Sequence, residues 1–393
     1  MKLSTATCEF IKEHLHDDVK GLALQARKYP DVDMPVAITQ IAGWQTAADK
    51  IPSWSMTDDL LYPKHLSMEQ CSSEATANYK ASLLKGDTFA DLTGGFGIDC
   101  AFISRNFTKA VYVERQTELC DIAKHNFPLL GLNHIQVVNS DGVEYLKQMK
   151  EADCIFLDPA RRNEHGGKTV AISDCEPDAV ELSPLLLNKA KTTMIKLSPM
   201  LDLSLALHDL PRTGEVHIIS ASNECKELLL ILNKVEQKKV PIHCINISRD
   251  GSMQKFSFTR KEEQNINCTY AKQTGKYLYE PNASILKAGA YKSIAKAYEL
   301  DKLHPNSHLY TSDTYIPHFP GRVFKTESTF TLNKKEVKEH LNGTEKANIT
   351  VRNFPLAVAE LRKRLKLKDG GDIYIFATTL SDERKVLIKC LKP

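Results

Sequence analysis

The sequence predicts an α/β protein with a Rossmann-like, mostly parallel sheet, preceded by a helical region and followed by a C-terminal α+β domain. Three patterns support this fold class. Residues 1–80 have helical periodicity without β-branched runs, short strands alternate with helices over residues 81–262, and residues 321–393 have a β-α-β-α-β-β order. Regular strand–helix alternation is typical of a parallel sheet covered by helices on both faces.

The chain length predicts several domains. A chain of 393 residues exceeds the size at which one hydrophobic core keeps growing. We expect a helical N-terminal region at 1–80, a catalytic α/β domain at 81–262, a small module at 270–320 and an α+β domain at 321–393.

Individual elements follow from local patterns. A helix over Ser73–Leu84 leads into a first strand, Thr88–Leu92, and Asp250-Gly251 predicts the turn of a closing hairpin. One helical run is expected over Ile285–Leu300. The other strands of the α/β domain are predicted at Ala110–Glu114, His134–Val138, Cys154–Asp158, Thr193–Leu197 and Val216–Ser220, with the hairpin at Ile242–Ser248 and Gln254–Thr259. The elements of the tail are predicted at Val323–Thr331, Lys334–Leu341, Ala347–Arg352, Pro355–Leu367, Ile373–Thr379 and Val386–Leu391.

Composition narrows the class of protein. The ten cysteines are scattered without a C-x-x-C pair or a zinc-ligand spacing, so we expect neither a disulfide framework nor a bound metal. The first residues lack a signal-peptide core, and no apolar run is long enough to span a membrane. The sequence therefore predicts a cytoplasmic protein, of undetermined oligomeric state.

Charge is unevenly distributed along the chain. Residues 321–393 contain 16 Lys and Arg against 9 Asp and Glu, a net +7, which leaves −4 for the preceding residues out of a total of +3. Such asymmetry favours an anionic partner for the tail domain, although a solvated basic face would give the same count.

The strongest local motif is a glycine-rich turn after the first strand. Gly94, Gly95 and Gly97 allow the backbone to turn sharply and to approach a ligand closely. Cys100 stands where a dinucleotide motif needs its last glycine. The turn residues predicted to bind a cofactor are Asp91, Thr93, Gly94, Gly95, Phe96, Gly97 and Asp99.

Three acids at successive strand ends complete this predicted site. Asp91 suits the cationic amino-acid moiety of S-adenosylmethionine, Glu114 lies 23 residues later where an acid accepts ribose hydroxyls, and Asp141 follows the third strand within reach of the adenine amino group. Each acid alone would equally suit a helix cap or a surface position.

The fourth strand ends in a candidate catalytic sequence, Asp158-Pro159-Ala160-Arg161-Arg162. Asp158 is predicted to orient an acceptor, with Pro159 fixing the backbone, and Arg161 or Arg162 to grip a phosphate or carboxylate. An Asp–Arg ion pair that braces a loop is the alternative. The fifth strand exit, Lys196–Pro199, is expected to line the same cleft.

The sequence resembles the class I S-adenosylmethionine-dependent methyltransferases, and more narrowly a Bacteroidetes group that joins this domain to a ferredoxin-like module and a C-terminal THUMP-like domain. The resemblance covers nearly the whole chain. It rests on Asp91–Asp99, Asp158–Arg162, Asp174–Pro177, Lys196–Met200, Asn223–Glu227, Ile349–Phe354 and Asp369–Thr379.

The resemblance implies an S-adenosylmethionine cofactor and, from the THUMP-like tail, a structured RNA substrate. Two departures bear on the chemistry. Exocyclic-nitrogen methyltransferases usually have Pro-Pro and an aromatic residue where this chain has Pro159, Ala160 and Arg161, and Ser198-Pro199 occupies the place of a cysteine nucleophile. We therefore expect direct transfer without a covalent intermediate.

The pattern of residues in the predicted tail helix indicates how the tail domain would bind RNA. Leu361 and Leu365 should pack in a core while the interleaved Lys and Arg residues face outward and contact phosphates. Two other functions stay open at this point: a small-molecule or protein methyltransferase with a structural tail, and a non-catalytic RNA-binding protein with a vestigial cofactor fold.

Overall fold

The computed structural model describes residues 4–161 and 172–393. Contacts between residues divide the chain into two compact units. The first comprises Met1–Glu215 and Glu227–Lys238, and the second comprises Val216–Lys226 and Lys239–Pro393. Within the described ranges, helices are too short or too polar to cross a membrane.

The first unit begins with six helices, as the sequence predicts. The first three of them pack around a buried cluster of Phe10, Leu22, Met34, Ala37 and Ile41. These helices are α1 (Thr5–Glu13), α2 (Val19–Leu24), α3 (Met34–Lys50), α4 (Pro52–Ser55), α5 (His65–Gln70) and α6 (Glu74–Ala81).

Strands and helices then alternate. The strands are β1 (Gly86–Asp91), β2 (Phe107–Glu114), β3 (Ile135–Asn139), β4 (Ala152–Leu157), β5 (Ala160–Arg161), β6 (Cys175–Glu176), β7 (Ala190–Leu197), β8 (Thr213–Ala221) and β9 (Glu224–Asn233). The helices are α7 (Ile98–Ile103), α8 (Thr117–Leu129), α9 (Gly142–Gln148), α10 (Ala179–Lys189) and α11 (Leu203–Asp209).

The sheet of the first unit is doubly wound. Its strands lie in the order β9-β7-β4-β1-β2-β3. All neighbours are parallel except β9, which runs antiparallel to β7. The strand order reverses between β1 and β4, and ligands of such sheets bind at the carboxyl ends of the strands beside this point.

β9 was not predicted from the sequence. Its residues Leu228–Leu230 are fully buried. A short continuous apolar run of this kind is compatible with a buried strand or a buried helix, and periodicity cannot distinguish them.

The second unit contains β10 (Pro241–Ile247), parallel to β8, and β11 (Met253–Thr259), which forms the predicted hairpin with β10. The following elements are α12 (Arg260–Asn265), β12 (Tyr277–Pro281), α13 (Ala283–Ala288), α14 (Tyr291–Ala297), β13 (Asp301–Lys302), β14 (Tyr310–Ser312), β15 (Gly321–Phe330), α15 (Lys334–Leu341), β16 (Asn348–Arg352), α16 (Val358–Leu365), β17 (Tyr374–Thr379) and β18 (Lys385–Leu391).

Seven of these strands form one sheet in the order β13-β14-β12-β15-β18-β17-β16. Alternating residues of β17 enter cores on opposite faces: Phe376 packs on one side, and Ile375 and Ala377 on the other. The predicted β-α-β-α-β-β order of the tail is confirmed.

The expected single helix over Ile285–Leu300 is wrong. Gly289 has φ +75° and divides it into α13 and α14. A left-handed glycine ends a helix by satisfying its last carbonyl groups, even where the apolar spacing continues. The tail helix α16 also begins three residues later than predicted, at Val358.

Candidate active site

The glycine turn connects β1 to α7 at the carboxyl edge of the sheet. The Gly94 N–H donates to the Val113 carbonyl oxygen at 2.9 Å, and Gly95 and Gly97 have φ values of +54° and +89°. A Cβ on Gly94 would lie 2.2 Å from the Tyr112 ring. These positions therefore require glycine for conformation and for space.

We expect Gly94→Ala to destabilise the protein by about 1–3 kcal/mol, because the new methyl group overlaps a buried ring. The measurement is urea unfolding followed by circular dichroism. Gly131→Asn is a suitable control, because Gly131 has φ +73° with open space around it and Asn tolerates this conformation. Equal stability of Gly94→Ala and the wild type would show that the turn is not closely packed.

Asp91 is the most deeply buried acid of the turn, with 1% of its surface exposed. Its Oδ1 accepts a hydrogen bond from the Thr93 N–H at 3.0 Å. Its Oδ2 has no hydrogen-bond partner among the described residues. Burial raises the pKa of Asp91 well above its usual range, and the neighbouring Asp99 and Asp158 raise it further.

Glu114 lies at the end of β2, as predicted, and braces the turn. Its Oε2 accepts from the Gly95 N–H at 2.9 Å and its Oε1 from the Gln116 N–H at 2.8 Å. Asp141 follows β3 and caps α9, where its Oδ1 accepts from the Val143 N–H at 2.8 Å. Both acids lie at strand ends on the side of the sheet that binds ligands.

Phe96 and Asp99 point their side chains towards the N-terminal helical region. The Phe96 ring lies edge-on to Trp54, with centroids 5.0 Å apart, and is 5% exposed. Asp99 accepts a hydrogen bond at 2.8 Å from the hydroxyl of Ser72. The structure thus brings the two side chains into the protein interior, while their backbone forms part of the turn and of α7.

Asp99 belongs to a buried ion-pair network. The Lys80 ammonium lies 3.1 Å from Asp99 Oδ1 and donates to both carboxylate oxygens of Glu227, at 2.8 and 2.7 Å. Burial favours the neutral form of Asp99, but the ammonium groups of Lys80 and Lys196 outweigh it and lower the pKa of Asp99 to about 2. This carboxylate is therefore ionised at neutral pH.

Lys196 connects this network to the predicted catalytic residue. Its Nζ lies 2.5 Å from Asp158 Oδ2 and 3.3 Å from Asp99 Oδ2. Burial favours loss of its proton, but the carboxylates of Asp158, Asp99 and Glu227 outweigh burial and raise the pKa of Lys196 well above its usual range. Lys196 is therefore positively charged at neutral pH.

The three residues after Asp158 are Pro159, Ala160 and Arg161, and the structure describes them only in part. The Asp158 N–H donates to the Thr93 hydroxyl at 2.7 Å, which ties the end of β4 to the glycine turn. Pro159 is buried, and the backbone of β5 pairs with β6. The Arg161 side chain and all of Arg162 lie outside the described residues.

The leucines of the tail helix α16 lie where the sequence predicts. Leu361 and Leu365 are buried in a core cluster. Two of its cations pair with acids, Arg362 with Asp369 and Arg364 with Glu360.

Three family models match separate parts of the chain. The model described as conserved hypothetical protein 95 matches residues 73–172. A ferredoxin-like domain matches residues 277–320, and a THUMP domain-like model matches residues 321–392. No curated protein matches the sequence.

Solved structures provide the broader comparison. A proposed methyltransferase from Porphyromonas gingivalis W83 is 37% identical, with 98% of this chain and 97% of that chain covered and a TM-score of 0.87. M. capricolum TrmK, in complex with S-adenosylhomocysteine, is 16% identical over 41% of this chain and 68% of its own, with a TM-score of 0.31. A proposed Streptococcus mutans methyltransferase, also with S-adenosylhomocysteine, is 14% identical over 41% and 97%, with a TM-score of 0.31.

The Porphyromonas match extends over nearly the full length of both chains. It includes the two C-terminal domains that the family models identify. The chain therefore belongs to the family of the Porphyromonas gingivalis protein, and is a methyltransferase with ferredoxin-like and THUMP-like domains.

Proposed function

We propose that this methyltransferase uses S-adenosylmethionine to methylate structured RNA, a tRNA or an rRNA, by direct transfer. The observation that carries the cofactor assignment is the Asp91 carboxylate. It is buried at the glycine turn, and its Oδ2 has no partner among the described residues. A buried polar atom without a partner is costly, so a ligand cation at this position would compensate it.

The residues present fit this cofactor. Asp91 would hold its ammonium group, Glu114 its ribose hydroxyls and Asp141 its adenine amino group. The backbone of Thr93, Gly94, Gly95, Phe96, Gly97 and Asp99 would form the cradle.

The cofactor, when bound, supplies an electrophilic methyl carbon, so the protein has mainly to align the acceptor and exclude water. Asp158 lies on the carboxyl side of β4 with 34% of its side chain exposed, beside the turn. It would orient the acceptor, with Pro159 fixing the backbone and Arg161 contacting a phosphate.

RNA as the substrate rests on the tail domain. Residues 321–393 carry a net charge of +7, and a THUMP-like domain matches this segment. A basic face of this kind binds the phosphate backbone without sequence preference and in a salt-dependent way. We further propose that the four domains divide near residues 80, 262 and 320.

Cofactor affinity should rise with pH. In the free protein, burial holds the pKa of Asp91 high, whereas binding of an ammonium group requires the carboxylate. Binding therefore releases a proton, and affinity should increase up to about tenfold per pH unit until the free protein is deprotonated. Calorimetric titration at pH 6, 7 and 8 measures this slope. A pH-independent affinity would contradict proton release from Asp91 on binding.

The direct test of the proposed function is a transfer assay. Purified protein is incubated with S-adenosylmethionine labelled in its methyl group and with total RNA from cells that lack the gene. We expect label in RNA, and no label with RNA from cells that have the gene. Label in protein or in small molecules alone would contradict the RNA assignment.

A further inference from the structure

Five charged side chains near the end of β4 are linked by ion pairs and differ in how far they are exposed. Lys80 is fully buried, Glu227 and Asp99 are 6% and 10% exposed, Lys196 is 13% exposed and Asp158 is 34% exposed. Asp158 is the most exposed of the five, and Lys196 pairs with it at 2.5 Å. An acceptor that enters beside the glycine turn would therefore meet Asp158 first and Lys196 behind it, while the other three residues hold them in place.

We propose that Asp158 and Lys196 select an oxygen acceptor, the 2′-hydroxyl of a ribose in RNA. This inference rests on the proposed function, since it names the acceptor atom in the proposed RNA substrate. It identifies Asp158 and Lys196 as catalytic residues, and Lys80, Glu227 and Asp99 as positioning residues.

The charge of Lys196 is the first reason. When a neutral amine attacks a sulfonium methyl group, positive charge develops on its nitrogen, and an adjacent ammonium opposes this. A hydroxyl becomes a good nucleophile as its proton leaves, so negative charge develops on its oxygen. A fixed cation at that oxygen lowers the barrier, as oxyanion-binding groups do. Lys196, 2.5 Å from Asp158 Oδ2, is placed for this role.

The geometry of Asp158 is the second reason. Lys196 engages Oδ2, and the carboxylate is anchored through its own backbone N–H to Thr93. We assign Oδ1, the oxygen that Lys196 does not engage at 2.5 Å, to accept a hydrogen bond from an incoming O–H. The side chains after Asp158, Pro159 and Ala160, also lack the aromatic group that would stack on a flipped base.

RNA offers one kind of internal hydroxyl. Folded RNA displays its ribose 2′-hydroxyls in a wide, shallow minor groove, where proteins contact them without opening base pairs. An oxygen acceptor within RNA is therefore the ribose 2′-oxygen. The basic tail would contribute phosphate contacts of the same sequence-independent type.

The transfer step moves one proton and one methyl group. The O–H proton passes to Asp158 Oδ1, while the Lys196 ammonium stabilises the charge that develops on the oxygen. The oxygen lone pair forms the bond to the methyl carbon, and the electron pair of the carbon–sulfur bond stays on sulfur. Asp158 then gives its proton to water, which leaves a 2′-O-methyl ether.

The first experiment identifies the product of the wild-type enzyme. Total RNA from cells that lack the gene is methylated with labelled S-adenosylmethionine, digested to nucleosides and analysed by mass spectrometry. We expect the label on ribose, and alkali-resistant linkages at the modified site. Label on a base would overturn the inference but leave the RNA function intact. Absence of any label in RNA would contradict both.

Variants of β7 test the role of Lys196. We expect Lys196→Met to lower the rate of RNA methylation about 100-fold or more, and Lys196→Arg to recover much of this loss. Calorimetry with S-adenosylhomocysteine should show affinity within about threefold of the wild type, because Lys196 is assigned to the acceptor and its contribution arises in the transition state. Circular dichroism checks folding.

Lys191→Met is the matched control. Lys191 lies on the same strand and pairs with Asp153 at 2.6 Å, but it is at the other end of β7 and 77% exposed. The Lys191→Met variant should therefore methylate RNA at the wild-type rate. A folded Lys196→Met variant with the wild-type rate would overturn the inference. If that variant does not fold, Asp158→Asn provides the second test, with an expected loss of about 100-fold, and a wild-type rate would again overturn it.

Discussion

Replacement of Lys80 by Met is expected to lower the free energy of unfolding by about 3–5 kcal/mol, because it leaves buried carboxylates without their cation. Lys80 is fully buried and lies within 3.1 Å of Asp99 and Glu227. Urea denaturation followed by circular dichroism measures the effect. A loss of this size is a large fraction of the roughly 5–15 kcal/mol that stabilises an ordinary domain.

A double variant isolates the ion pair. Adding Glu227→Gln to Lys80→Met removes one of the unpaired carboxylates, so part of the lost stability should return. Lys147→Met is the control, because the pair of Lys147 with Glu144 is more than half exposed and such pairs contribute at most about 1 kcal/mol. A Lys80→Met variant as stable as this control would show that the network is not buried in solution.

Asp91→Asn is expected to have opposite effects on binding and stability. Without the carboxylate, affinity for S-adenosylmethionine should fall by about 2–5 kcal/mol, a factor of about 30 or more. The free protein should become more stable at pH 8. Calorimetry and thermal unfolding measure the two quantities.

The sign of the stability change follows from the raised pKa of Asp91. The fold favours the protonated carboxyl, so its stabilising contribution is complete below the ordinary aspartate pKa. This contribution is lost as the pH rises through the raised value. Asn does not ionise, so its advantage should grow with pH and vanish in acid. Asp87→Asn, at the exposed start of β1, is the control. Unchanged cofactor affinity in Asp91→Asn would contradict the assigned role.

Much of the fold can be predicted from the sequence because its determinants are local. Alternating apolar patterns, the Asp250-Gly251 turn and the glycines after β1 act over a few residues, and the corresponding elements are confirmed. The run at Leu228–Leu230 was missed because strand and helix both bury such a segment. Gly289 was missed because the helical spacing continues on both sides of it.

The buried network could not be predicted from the sequence. Lys80 lies in a helical stretch where a lysine is normally a surface residue, and its partner Glu227 is 147 residues away. Only the antiparallel pairing of β9 with β7 places Glu227 in the interior. The one local signal is that Glu227 precedes the apolar run Leu228–Leu230. An acid in such a position is too common to indicate a site.

The most direct test of the account is a crystal structure of the protein with S-adenosylhomocysteine. We predict that the ligand lies on the turn Asp91–Gly97, with its amino group on Asp91 Oδ2, its ribose hydroxyls on Glu114 and its sulfur directed towards Asp158 and Lys196. Density for the ligand elsewhere, or a turn without ligand in crystals grown at saturating S-adenosylhomocysteine, would contradict the account.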